Sequence, residues 1–149
     1  MTRYALKTLL TPLLTAFVAL GLLTFAAPSE AQAQTVNVEV RVIVGNSNGG
    51  GVDSSLSNLS SRLQRQFSRF NSFRQHGMQS FSLTVGQSRS VSLPGGGSAS
   101  IELVSVSGGE QELRIQMPGG GSTMRTRGGL FFAGGANVSG GTLILAIST

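Results

Sequence analysis

The sequence predicts an α+β fold, a curled antiparallel β-sheet of seven or eight strands, mostly a meander, with one amphipathic helix packed on its apolar face. Three observations point there. Short runs alternate apolar and polar residues at period two, with glycine clusters between them. A single stretch carries an apolar stripe at helical period. No cysteine is present, so packing and main-chain pairing must supply the stability without disulfides. The same pattern admits a β-sandwich with a peripheral helix.

The first 33 residues read as an export signal. Arg3 and Lys7 open it, an apolar run extends from Leu9 to Ala27, and the small-x-small site Ala31-Gln32-Ala33 closes it. Basic, apolar and small residues in that order are what a signal peptidase reads. The expected boundaries are a signal over residues 1–33 and one β-rich domain over 34–149. The localisation that follows is periplasmic or extracellular. An uncleaved N-terminal anchor is the alternative, because the apolar run approaches the length of a membrane span. Cleavage takes the chain from 149 residues to 116, the basic residues from 11 to 9 and the acidic residues from 6 to 5, a net charge of +4. All nine remaining basic residues are arginine, and neither Tyr nor Trp remains. A chain of that length can bury one core.

The first strand is the run in which Val36, Val38, Val40, Val42 and Val44 alternate with Thr35, Asn37, Glu39, Arg41 and Ile43. It ends in the glycine-rich loop Gly45–Gly51. A helix over about 53–70 follows, with Asp53 as N-cap. Leu56, Leu59, Leu63, Phe67 and Phe70 form its apolar stripe, and Arg62, Arg65 and Arg69 fall on the opposite face. Arg74 to Gln79 reads as an irregular link containing His76. Phe81-Leu83-Val85, Val91-Leu93, Ala99-Ile101-Leu103 and Leu113-Ile115-Met117 then alternate as strands. Leu130–Ala133 and Leu143–Ile147 are apolar on both faces, as strands covered on both sides or lying centrally in a sheet are.

Register follows from the apolar pattern. A three-residue loop Ser107-Gly108-Gly109 sets Leu103 opposite Leu113, Ile101 opposite Ile115 and Glu102 opposite Arg114. A two-residue loop would place Ile115 beside Glu102, and a one-residue slip moves every side chain to the wrong face. The same reasoning predicts a hairpin in which Leu83 faces Val91 and Phe81 faces Leu93. Two Pro-Gly-Gly-Gly-Ser segments, 94–98 and 118–122, each separate a strand from the next.

The valine-alternating strand, the Gly51-Val52-Asp53 step into a helix, and the closing stretch with Gly134-Gly135, Gly140-Gly141, Leu143, Leu145, Ala146, Ile147 and Ser148 together resemble a group of small exported bacterial β-rich proteins of unknown function. The resemblance covers most of the exported chain and implies a fold without assigning a site.

The residues suited to catalysis are few. His76 is the only histidine and Asp53 the only aspartate, and no serine sits in a G-x-S-x-G elbow. A Ser/His76/Asp53 site would require three separate segments to converge. Glu110 and Glu112 share a strand face, but one strand supplies too few oxygens for calcium. The Gly45–Gly51 loop lacks the Lys and Ser/Thr of a phosphate loop, since Gly51 and Val52 stand in those places. The reading is therefore non-catalytic, with no cofactor and no metal. It is an exported domain that is structural or binds a protein partner in the envelope or outside the cell. Arg62, Arg65 and Arg69, together with Arg125 and Arg127, are the candidate contacts. The alternatives are an arginine-mediated binder of anionic glycan or lipid headgroups and a hydrolase centred on His76. Nucleic acid is not expected as a partner, because the domain is exported and has no Tyr or Trp to stack on bases.

Overall fold

The computed structural model describes residues 33–149, so the proposed signal lies outside the described residues apart from Ala33. The fold is α+β, with antiparallel strands predominating and one α-helix among the described residues. The described residues form nine strands, one more than the upper expectation. They are β1 (Thr35–Asn46), β2 (Gly51–Val52), β3 (Ser72–Thr84), β4 (Ser88–Ser92), β5 (Ser98–Ser107), β6 (Glu110–Met117), β7 (Gly120–Thr126), β8 (Leu130–Val138) and β9 (Gly141–Ser148). Five form one sheet in the order β2-β3-β1-β9-β8, and four form a second in the meander order β4-β5-β6-β7. Among the described residues the one parallel pair is β2 with β3, where Gly51 and Val52 meet Ser72 and Phe73.

The two sheets share a core. Val36, Val38, Val40 and Val42 of β1 and Leu143, Leu145 and Ile147 of β9 pack with Val91, Ala99, Ile101, Leu103, Leu113 and Ile115 of the smaller sheet. Period-two alternation on β1 puts these valines on one face, and Thr35, Asn37, Glu39 and Arg41 on the other. β9 lies between β1 and β8. Every residue from Thr142 to Ile147 is buried, which explains its two-sided apolar sequence. The outward faces of β1 and β9 contribute Ile43, Ile144 and Ala146 to a second cluster, completed by Phe73 and by Leu56, Leu59 and Leu63 of the helical segment.

That segment is shorter than the expected helix over 53–70. A 3₁₀ turn spans Ser54–Leu56, and the α-helix α1 spans only Ser60–Gln66. Serines at 54, 55, 57, 60 and 61 crowd its start, and serine side chains compete for main-chain partners. Ser60 Oγ, for example, donates to Ser57 O at 3.0 Å. Asp53 does not cap the helix. Its Oδ2 instead accepts the main-chain N–H of Gln75 at 3.3 Å, beside the short β2–β3 pair. At the other end Phe67 leaves helical geometry, with φ −123° and ψ 49°. Its ring stands edge-on to Phe132 at 5.9 Å, and Phe70 does the same to Phe73 at 6.4 Å. The stripe thus keeps its buried side while the backbone abandons the helix.

The segment expected to be an irregular link, Arg74 to Gln79, belongs instead to β3, which pairs with β1 over its whole length. The pairing slips once, between Val42 and Ile43 of β1, and His76 is the extra residue. Such a bulge breaks the apolar alternation, so the sequence pattern does not show the strand.

The β5–β6 hairpin has the predicted pairs Leu103 with Leu113, Ile101 with Ile115 and Glu102 with Arg114. The device differs from the expected three-residue loop. Gly108 and Gly109 make a two-residue turn with φ of 57° and 80°, and a shift between Leu103 and Ser105 absorbs the odd residue. The predicted Leu83–Val91 and Phe81–Leu93 pairs do not form, because β3 and β4 lie in different sheets and Val91 pairs with Ala99. At the crossing Gly86 takes φ +86°. Its N–H donates to Leu103 O at 2.7 Å, and Leu103 N–H donates to Gln87 O at 3.0 Å. The chain after β3 is therefore captured by β5. Leu83 and Val91 still share the inter-sheet core.

Candidate functional site

The arginines singled out in the sequence divide into three situations. Arg62 and Arg65 sit one turn apart on α1, and both are exposed. Leu63 between them is fully buried against the larger sheet, so it fixes the helix rotation that turns the arginines outward. Arg65 Nε donates to Ser61 O at 3.2 Å, which holds the guanidinium along the helix and leaves its terminal nitrogens unused by that bond. Arg69 lies beyond the end of α1. Its guanidinium covers the Phe70 ring at 4.7 Å, a cation–π contact, and so leaves the other two.

Arg125 and Arg127 do not form a free pair on one strand face. Arg125 Nε donates to Glu112 Oε2 at 2.8 Å across the β6–β7 ladder. That hydrogen bond, reinforced by the carboxylate charge, raises the Arg125 pKa above its ordinary value. Arg127 lies past β7 in the link to β8, where Thr126 Oγ1 and Gly128 bond reciprocally. β7 is an edge strand, and a charge there suits edge protection. Two other ion pairs are present among the described residues, Arg41–Glu39 at 2.9 Å and Arg114–Glu102 at 2.8 Å. No described carboxylate pairs with Arg62 or Arg65.

Arg62 and Arg65 border a groove of about 470 Å³. Gln66 continues their wall, and Met124 of β7 with Leu130, Phe131 and Phe132 of β8 supplies the rest. The groove therefore runs where an edge strand of each sheet meets the helix. Phe132 turns toward the helical cluster and Phe131 toward the inter-sheet core, as neighbours on a strand must. The sequence pattern missed these four side chains as site residues. Their apolar character reads as core, and only the tertiary arrangement leaves them half-buried beside two cations.

Other candidates are dispersed. His76 is exposed on the β3 bulge. Asp53 is engaged by the Gln75 amide, and neither side chain bonds to a serine among the described residues. Glu112 is engaged by Arg125, so it does not act with Glu110 as a free pair. The Gly45–Gly51 loop runs into β2 and not into a helix N-terminus, so it forms no phosphate cradle. Among the described residues no three ligating side chains cluster for a metal, and no helix is long and apolar enough to cross a membrane.

The chain matches no family model, no curated protein and no solved structure.

Proposed function

We propose that this chain is an exported, non-catalytic domain of the cell envelope or secreted fraction, and that it binds a protein partner through the groove beneath Arg62 and Arg65. One observation carries the reading. Two guanidiniums without carboxylate partners among the described residues stand over half-buried Met124, Leu130, Phe131 and Phe132. Arginine beside half-buried aromatic and methionine side chains is the composition that protein interfaces enrich. Export rests on the Arg3, Lys7 and Ala31-Gln32-Ala33 pattern and on the resemblance to small exported β-rich proteins.

The test is capture from envelope and medium fractions with wild type and with Arg62→Ala/Arg65→Ala. A partner retained by wild type and lost by the double variant supports the reading. Equal recovery by both removes the groove from it. A second reading, binding of anionic glycan or lipid headgroups, draws on the same unpaired guanidiniums. Exposed arginine–anion pairs are each worth about 0–1 kcal/mol, so such binding should be weak and should fade with salt. Tight binding to anionic vesicles or to a sulfated glycan at physiological salt would put this second reading ahead of the first.

A further inference from the structure

The β8 strand that floors the groove has an open edge. Gly129 N–H donates to Thr149 O at 3.0 Å, and Thr149 N–H returns the bond to Gly129 O at 3.2 Å. Bonded pairs alternate along an antiparallel ladder. The register then runs Leu130 opposite Ser148, Phe131 opposite Ile147 and Phe132 opposite Ala146. Phe131 and Ala133 therefore spend their main-chain groups on β9, and Leu130 and Phe132 turn theirs away from it. No described strand lies on that side, since β8 ends the five-stranded order. Nor does any described side chain bond there. An unpaired edge of this kind is a template for another strand.

We infer that an extended acidic segment of a partner protein adds to β8 as a further strand, with carboxylates facing Arg62 and Arg65 and alternate apolar side chains facing Met124 and Phe131. The inference rests on the partner-binding reading and names the partner's chemistry. Main-chain groups two residues apart on β8 need donors and acceptors at the same spacing, about 6.6–6.8 Å on a strand. A polypeptide provides that repeat; a lipid headgroup or a sugar chain does not. The faces follow from the pleat. Phe132 points to the helix side, where Arg62 and Arg65 stand, and Phe131 points to the inter-sheet side. An added strand continues those faces, so side chains at alternate positions meet cations and the ones between meet apolar surface. The recognised pattern is acidic–apolar alternation over about four to six residues, the usual length of a strand.

The experiment titrates the purified protein with a fluorescent ten-residue peptide alternating Glu and Val. Four comparators are used, namely its Gln-for-Glu form, two forms N-methylated at every Glu or at every Val, and anionic phospholipid vesicles. An added strand bonds to β8 through alternate residues only. One methylated form should lose at least about tenfold in affinity while the other binds like the parent, given the worth of two or three main-chain hydrogen bonds. The Gln form should bind roughly two- to thirtyfold more weakly, as should the parent peptide with Arg62→Ala/Arg65→Ala, from two exposed ion pairs. If both methylated forms behave alike, strand addition is wrong. If the Gln form binds equally, the acidic requirement is wrong. If vesicles bind and no peptide does, the inference fails and an arginine-borne anion site remains. If the double variant binds the parent peptide unchanged, the groove is not the site and the partner-binding reading falls with the inference.

Discussion

Leu63→Ala should destabilise the domain by about 2–5 kcal/mol. Leu63 has no exposed surface and belongs to the cluster that joins the helical segment to β1, β3 and β9. The substitution deletes three carbon atoms, and at about 0.8 kcal/mol for each buried methylene-sized group the transfer loss alone is about 2.4 kcal/mol. The cavity left behind adds to it, because Ile43 and Ile144 of the same cluster belong to hydrogen-bonded strands and follow only in part. α1 has seven residues and no side-chain N-cap. A helix that short does not persist alone, so its structure depends on docking. For a domain near this size the loss corresponds to a midpoint lower by about 10 °C or more. The assay is thermal and urea unfolding followed by far-UV circular dichroism, with amide exchange at Leu63 and Phe67 to separate local from global opening. Leu63→Met, which conserves volume, should cost less than about 1.5 kcal/mol. An Ala variant with an unchanged midpoint and unchanged amide protection would refute docking of the helix on the sheet.

Four further outcomes are expected. Gly141→Ala should cost at least about 2 kcal/mol. Its φ is +152°, and an added Cβ would run into the carbonyl oxygen of Gly45, where β1 and β9 approach; thermal unfolding of the variant measures this. Asp53→Ala should cost about 1 kcal/mol by freeing the Gln75 amide, not by uncapping the helix; a proton-exchange change at Gln75 with none at Leu56 distinguishes the two. His76→Ala should leave unfolding and partner capture unchanged, because the side chain is exposed on a bulge; lost function with the fold retained would revive a hydrolase and direct attention to Asp53. If the chain is exported as proposed, N-terminal mass analysis of the mature protein should show it beginning at Gln34, and a chain retaining Met1 in a membrane fraction would make the first segment an anchor.

The valines of β1, the Leu103–Leu113 hairpin and the apolar stripe over Leu56, Leu59 and Leu63 were legible in the sequence because each is a local repeat. Side-chain direction on a strand or helix follows from the backbone period alone, so such residues announce their buried face before any partner is known. The β5–β6 register was legible for the same reason, since a slip would have buried Glu102 and Arg114. The tertiary structure decided what local pattern does not carry. Val91 had apolar candidates on both sides in sequence, and only the capture of Gly86 and Gln87 by Leu103 put β3 and β4 in separate sheets. Asp53 could serve a helix N-terminus or a strand amide, and the folded position of Gln75 settled which. The groove is the extreme case. Arg62 and Arg65 were visible as a polar face, but Met124, Leu130, Phe131 and Phe132 carry the ordinary signature of core residues. They become a candidate site because two sheets and a helix end side by side there, and an edge strand's unpaired main chain has no counterpart in the identity of its side chains.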